Sequence, residues 1–282
     1  MSAYICNLIL PGAAKSGTST LHFLLDQHPL VSMSSHKEPQ FFSFDENYAR
    51  GPDTHNALFD TSGGQRVFGE SSQSYMVDAT ARDRIRQNLP GVKIIFVLRH
   101  PIERLWSHYR SNIKAAYESL DLDAAVAQRG ESIRYHFVDR IGMHKEEGGY
   151  LAFSRYSRWI PQWQESFGAG NVLLIDSQAL FSDPVATAAR CFAFLDLPPT
   201  DSVAPVHANR SDARPAPPRK AVRAVASLVP ERIKQTRAYD MLRAGLGRTV
   251  AVKVPKKIPP EQETAMRRHL ADEIRFFEDM FG

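Results

Sequence analysis

Cysteine is nearly absent: the 282-residue chain has only Cys6 and Cys191. Two distant thiols exclude a disulfide framework and a paired-thiolate metal site. Cys6 falls in an apolar run and Cys191 in an apolar helical pattern, so both read as small core residues. Long hydrophobic runs are also missing. The N-terminal apolar run covers about six residues, too short for a membrane span or the core of a typical signal peptide. A soluble, cytoplasmic protein is the expectation. No H-E-x-x-H or C-x-x-C pattern occurs, so no metal is expected. There is no internal repeat and no low-complexity tract.

The Walker sequence, Gly-Lys-Ser/Thr after four free residues, is absent too. What stands in its place is PGAAKSGTST, Pro11–Thr20, with Lys15 ahead of the second glycine, Gly17. An apolar run, Ile5–Leu10, precedes it and a helical pattern, Leu21–Leu25, follows. Strand, glycine turn and helix start make a phosphate site, because amides at a helix N-terminus have no intrahelical partner and carry partial positive charge. Lys15 adds a full charge, and Thr18, Ser19 and Thr20 add three successive hydroxyls. The order of residues disfavours the usual Mg²⁺-triphosphate arrangement. An ordinary strand-to-helix turn that binds nothing is the competing reading.

Charge is modest in sum, +4, but unevenly placed. Between His207 and Lys257 there are 13 Lys/Arg against 3 Asp/Glu, a local +10 that leaves −6 for the remainder. Such a segment suits an anionic partner, a polyanion or a membrane surface, or forms solvated helix faces.

Apolar strand-like runs recur at Ile5–Leu10, Val67–Gly69, Lys93–Leu98 and Val172–Ile175. Helical patterns alternate with them at Leu21–Gln27, Ala79–Asn88, Ile102–Lys114, Leu151–Phe167 and Val185–Leu195. This alternation predicts an α/β fold, a single domain with a central parallel β-sheet flanked by helices. Ligands of such sheets bind beyond the carboxyl ends of the strands. Residues 1–198 would form the core and 199–282 a basic, mostly helical part packed on it. Gly142–Gly149 reads as a mobile loop, and the proline-rich stretch Pro198–Pro218 as irregular. Lys220–Arg248 suggests amphipathic helices. Pro260–Phe281 reads as one helix with Met266, Leu270, Ile274 and Phe277 on its apolar stripe.

A second anion grip follows the run Ile94–Leu98. Arg99 would emerge at the strand tip, Pro101 suits a helix start, and Arg104 and Ser107 share a helix face. A guanidinium fork beside a hydroxyl holds a phosphate well. The alternative is an arginine that merely pairs with Glu103 or another acid. Two grips in one crevice point to a nucleotide phosphorylated at two positions.

On these motifs the chain resembles the sulfotransferases that use 3′-phosphoadenosine 5′-phosphosulfate (PAPS). PGAAKSGTST is similar to their 5′-phosphosulfate loop. FVLRHPIERLWSHY is similar to their 3′-phosphate motif, an arginine at a strand end with a serine eight residues on. Lys37-Glu38-Pro39-Gln40-Phe41-Phe42 resembles the KE-x-x-FF segment of the carbohydrate and heparan sulfate enzymes. GESSQSYM, Gly69–Met76, resembles their acceptor-side strand and turn. Leu151–Leu197, with Trp159, Trp163 and the VLLID strand, continues the likeness, which covers about Ile5 to Pro198.

The resemblance implies a P-loop nucleotide-kinase-like sulfotransferase fold. It implies that Lys15 meets the bridging oxygen and the 5′-phosphosulfate, and that the amides of Gly17–Thr20 with the hydroxyls of Thr18, Ser19 and Thr20 hold the 5′-phosphate, Ser16 being a cofactor-binding residue of the same loop. Arg99 and Ser107 would bind the 3′-phosphate, with Glu38 as catalytic base. His36, Glu70, Ser71 and Tyr75 would face the acceptor, a hydroxyl in preference to an amine, on a carbohydrate, glycolipid or small molecule. PAPS would be the donor and PAP (adenosine 3′,5′-bisphosphate) the product.

Sulfuryl transfer needs a base for the acceptor and a cation where charge builds on the leaving phosphate, which Glu38 and Lys15 would supply. A solvated loop carboxylate is the competing reading of Glu38, and His36 is a rival base. The chain departs from the heparan-type pattern at Ser71, where a lysine is common, which counts against a polyanionic glycan acceptor. His207–Arg214 is a candidate for closing over the 3′-phosphate. The alternatives are a metal-dependent nucleotide or small-molecule kinase, and a polyanion- or membrane-binding module that uses residues 207–257. Nucleic acid is not an expected partner.

Overall fold

The computed structural model describes residues 3–114, 117–137, 144–206 and 254–282. Most of the basic segment 207–257, including the expected Lys220–Arg248 helices and His207–Arg214, lies outside the described residues. The described chain clusters into two compact units. One comprises residues 3–99 with 156–206; the other comprises the described parts of 100–155 with 254–280.

The first unit holds a five-stranded parallel sheet. Its strands are β1 (Leu8–Leu10), β2 (Val31–Met33), β3 (Val67–Ser71), β4 (Lys93–Leu98) and, later in the chain, Val172–Asp176. Its helices are α1 (Thr18–Leu25), α2 (Asp45–Tyr48), α3 (Gly51–Asn56) and α4 (Ala79–Asn88). From β1 the chain winds out to β2, returns to β3 beside β1, and then crosses to β4 on the other side. Val172–Asp176 pairs with β4 from Ile94↔Val172 to Leu98↔Asp176. The winding direction therefore reverses at β1, and in a parallel sheet the crevice lies at the carboxyl ends there.

Isoleucine, phenylalanine and valine make β4 a near-continuous apolar run, as a strand covered on both faces requires. One side of the sheet packs Leu21, Leu24 and Leu25 of α1 with Ile95, Val97, Cys191 and Phe192. Phe96 meets Trp163 edge-on at 5.5 Å, and the Trp163 indole donates to the Met76 carbonyl at 3.1 Å.

The expected Ile5–Leu10 strand is shorter, because Asn7 substitutes its side chain for part of the ladder. Its Oδ1 accepts from the Phe68 amide at 2.8 Å and its Nδ2 donates to the Arg66 carbonyl at 2.9 Å. The third strand runs past the expected Gly69 to include Glu70 and Ser71.

The second unit contains α5 (Pro101–Lys114), α6 (Leu122–Arg129) and an antiparallel hairpin of β5 (Ile133–Phe137) and β6 (His144–Gly148). Part of the expected Gly142–Gly149 loop is therefore strand. Gly148 and Gly149 have φ of 84° and 67°, and a Cβ at Gly148 would lie 2.4 Å from the Ser132 carbonyl oxygen. Only glycine permits that closure.

Returning to the first unit, α7 (Tyr156–Phe167) begins later than the expected Leu151, after a 3₁₀ turn at Ala152–Ser154 and a break at Arg155. The strand Val172–Asp176 is β7, followed by α8 (Ser177–Ser182) and α9 (Pro184–Phe194). The expected final helix is two, α10 (Pro260–His269) and α11 (Ala271–Phe281). They part at Leu270, φ −121°, which keeps Met266, Leu270 and Ile274 buried against Leu105, Tyr109 and Leu122.

No helix among the described residues is long and apolar enough to cross a membrane. Among the same residues no group of three or more His, Cys, Asp or Glu is placed to hold a metal ion.

Candidate active site

Three sequence-selected segments leave carboxyl ends of strands of the parallel sheet in the first unit, those of β1, β2 and β4. The turn after β1 runs alongside β4: Ala13 N donates to Val97 O at 2.8 Å, and Val97 N to Gly12 O at 2.9 Å. Lys15 and Gly17 adopt φ of 69° and 111°, and Gly17 caps α1 without any side-chain cap. The first α1 bond is Leu21 N to Gly17 O, so the amides of Thr18, Ser19 and Thr20 lie ahead of the helical ladder. Ser16 is 0% exposed and its Oγ has no hydrogen-bond partner among the described residues. Thr18 and Thr20 are buried; Lys15 and Ser19 are half-buried. The turn thus combines a lysine, an uncapped helix end and an orphaned buried hydroxyl, a donor set that fits an anionic oxygen cluster.

Glu38 follows β2 and is tied to the end of β3, where its amide donates to the Ser71 carbonyl at 2.9 Å. Its Oε2 accepts from the Gln73 amide at 2.8 Å, and its Oε1 pairs with the Lys37 ammonium. Glu38 has φ 62° and Gln40 φ 49°, two non-glycine residues in the left-handed region within one turn. Such conformations persist only where the surroundings over-determine them. The Glu38 loop leaves β2, two strands from β1, but its bond to Ser71 ties it to the end of β3, where Ser71 lies opposite Leu10 at the end of β1 and start of the Lys15 turn.

Arg99 follows the end of β4 and is half-buried. The Tyr156 phenol donates to its carbonyl at 2.9 Å and lies 3.5 Å from its amide, which fixes the backbone that carries the guanidinium. Spacing could not have pointed to Tyr156, 57 residues away.

Ser107 is half-buried on α5 of the second unit. Arg104, three residues earlier, is 0% exposed; its Nε donates to Ser154 Oγ at 2.7 Å and another guanidinium nitrogen to the Tyr150 carbonyl. Arg104, which shares the Ser107 helix, thus has bonds within its own unit.

The four residues read as acceptor contacts are placed differently from one another. His36 is exposed. Glu70, Ser71 and Tyr75 are each 0% exposed. The Ser71 Oγ lies 2.9 Å from His22 Nδ1. Burial, then the nearby Lys37 charge, lowers the His22 pKa to about 4, so its imidazole is neutral. Glu70 accepts from His55 Nε2 at 2.8 Å, Ser72 Oγ at 2.7 Å and the Tyr75 phenol at 2.6 Å. Glu70 and Tyr75 therefore form the wall behind the Glu38 loop and offer no surface to solvent. His55 carries no sequence signal, and Ser72 lies within GESSQSYM but is not among the residues read as acceptor contacts.

Comparison with known proteins shows the family. The family model described as "Sulfotransferase domain" matches residues 7–213. Human bifunctional heparan sulfate N-deacetylase/N-sulfotransferase 2 is 27% identical over 198 residues, 68% of this chain and 22% of that protein. Mouse heparan sulfate glucosamine 3-O-sulfotransferase 5 is 25% identical over 200 residues, 68% of this chain and 53% of that protein. The chain thus spans about a quarter to a half of the length of these curated relatives. A sulfotransferase crystal structure from Alicyclobacillus acidocaldarius superposes with a TM-score of 0.61 at 27% identity, covering 87% of this chain and 97% of that one. With the family model spanning both strand-end loops and the parallel sheet that carries them, the chain belongs to the sulfotransferase domain family.

Proposed function

We propose that the protein transfers a sulfuryl group from PAPS to an acceptor hydroxyl, with Glu38 as base and Lys15 at the leaving group. The observation that carries this reading is the turn after β1: an uncapped helix start, Lys15, and the buried Ser16 hydroxyl that lacks a partner among the described residues. An anionic oxygen would satisfy that hydroxyl and the amides ahead of the helical ladder.

In the proposed step, Glu38 takes the acceptor proton as the acceptor oxygen forms its bond to sulfur. The bond from sulfur to the bridging oxygen breaks, and its electron pair stays on the 5′-phosphate of the departing PAP. Lys15, with the Ser16–Thr20 amides and hydroxyls, stabilises the charge that builds there. Arg99 and Ser107 hold the 3′-phosphate. The two units form one sulfotransferase domain in this reading, since the family model runs across both. The acceptor class is a carbohydrate, glycolipid or small-molecule hydroxyl; the names of the human and mouse relatives describe heparan sulfate for those proteins. Residues 207–257, with their excess of positive charge, bring the enzyme to an anionic or membrane-borne acceptor, and the protein works in the cytoplasm.

Transfer of labelled sulfate from PAPS to a panel of sugars, lipids and phenols tests the reading. Glu38→Gln should lower kcat by about 10²- to 10⁴-fold, the range of a lost general base, with nucleotide affinity nearly intact. Loss of nucleotide binding together with turnover would make Glu38 a structural residue. No transfer to any acceptor by the wild type would sink the assignment.

A further inference from the structure

The loop that carries Glu38 is held in an unusual way. Its backbone turns through the left-handed region at Glu38 and again at Gln40. Two amides of this turn are bound by side-chain hydroxyls rather than by backbone. Gln40 N donates to Ser72 Oγ at 3.0 Å, and Phe42 N to the Tyr75 phenol oxygen at 2.9 Å. Both hydroxyls donate onward to one carboxylate oxygen, Oε1 of Glu70, at 2.7 and 2.6 Å.

The carboxylate's other oxygen accepts from His55 Nε2. The His55 ring is fully buried among Phe41, Phe42, Phe59 and Tyr4, with ring centroids 4.6 to 5.7 Å away. A carboxylate buried in such a wall is costly unless every oxygen is satisfied, and here three donors converge on it. Burial and the adjacent carboxylate push the Tyr75 phenol well above its usual pKa, so it remains a donor.

We infer that Glu70 is a positioning residue for Glu38: through Ser72 and Tyr75 it fixes the amides of Gln40 and Phe42 and so sets the turn that presents the Glu38 carboxylate. This inference rests on Glu38 being the base. Each hydroxyl acts as a hinge pin, since its own acceptor capacity faces the loop amide while its proton is committed to Glu70. A carboxylate is needed because it alone accepts from both hydroxyls at one oxygen and from His55 at the other. Glu38 is oriented a second time by the Gln73 amide, which belongs to the same 3₁₀ turn, Gln73–Val77, as Tyr75. Tyr75 of the clamp and the amide that holds the base thus sit on one short element.

The test compares Tyr75→Phe and the Ser72→Ala/Tyr75→Phe pair in two backgrounds, wild type and Glu38→Gln. Tyr75→Phe removes one pin and should lower kcat about 10-fold; the pair should lower it about 100-fold, as expected for loss of one and two buried hydrogen bonds. Affinity for PAP, read by calorimetry, should stay within about twofold, because the hydrogen bonds of the two hydroxyls go to the Glu38 loop and to Glu70. In the Glu38→Gln background the same substitutions should leave residual turnover unchanged, since a residue that acts through Glu38 has nothing left to position.

Amide exchange supplies a readout independent of turnover: Phe42 should exchange faster in Tyr75→Phe while β4 amides are unaffected. An equal fall of kcat in both backgrounds, or unchanged exchange at Phe42, would overturn the positioning role. If Glu38→Gln alone keeps wild-type kcat, the base reading fails and the positioning role with it; faster Phe42 exchange in that case identifies the base, not the clamp, as the faulty step.

Discussion

Replacing Gly17 by alanine probes the link between the backbone of the β1–α1 turn and the anion site most sharply. Gly17 has φ 111° and ψ 12°, a conformation that side chains other than hydrogen resist. Forcing an L-residue into the left-handed region costs about 1–2 kcal/mol. Sterics add to that, because a Cβ here would lie 3.1 Å from Leu180 Cδ2 and 3.1 Å from Phe181 Cζ. Phe181 is 56% exposed and can swing aside, whereas Leu180 is fully buried and cannot. A total near 2 kcal/mol follows, which in a protein of this size lowers Tm by about 4–8 °C. The strain falls on the residue just ahead of the Thr18–Thr20 amides, so PAP affinity should fall along with stability. Differential scanning fluorimetry and calorimetric titration read the two effects on the same sample. A Tm within a degree or so of wild type with unchanged PAP affinity would refute the claim that this glycine is required by its conformation and its close neighbours.

Three further outcomes follow from the same coordinates. His22 is neutral in the folded protein because its pKa is lowered to about 4, whereas the unfolded chain takes up its proton near 6.5. The contribution is therefore fully present above pH 6.5 and lost as pH falls toward 4, by at most about 3 kcal/mol. Urea unfolding at pH 7 and pH 4.5 should show this slope, and His22→Gln should flatten it. Lys15→Ala should weaken PAP binding by about 10- to 100-fold, the worth of a charge-assisted hydrogen bond, with little change in Tm. Leu24→Ala, in the packed face of α1, should cost about 2–5 kcal/mol by chemical denaturation without altering PAP affinity per folded molecule.

The parts of the molecule that could be read from the sequence are those where one local pattern dominates. Lys93–Leu98 is a run of large apolar residues, and β4 matches it residue for residue. The turn Pro11–Thr20 announces itself by glycine and lysine between a strand and a helix. By contrast β2 is three residues, Val31–Met33, and exists because β3 offers it a partner at Val31↔Val67. Strand β3 was cut short because Glu70 and Ser71 are polar; their burial is made tolerable by His55, Ser72, Tyr75 and His22, which only the tertiary fold assembles. The same cause hid the inward role of Glu70 and Tyr75. Helical spacing sets Arg104 beside Ser107 but gives no sign of its bonds to Ser154 and Tyr150, 50 and 46 residues away, which only the tertiary fold makes. The break at Leu270 was equally invisible, since Met266, Leu270 and Ile274 keep helical spacing across it.

One nucleotide held by both the Lys15 and the Arg99 segments is what the proposed function requires above all. Calorimetric titration of the full chain with PAP and with AMP, at matched ionic strength, measures that dependence. The account predicts that PAP binds more tightly than AMP by at least about tenfold, the worth of one additional phosphate held by charge-assisted bonds, and that Arg99→Ala erases the difference. Equal affinity for the two nucleotides, or a preference for PAP that survives Arg99→Ala, would contradict it.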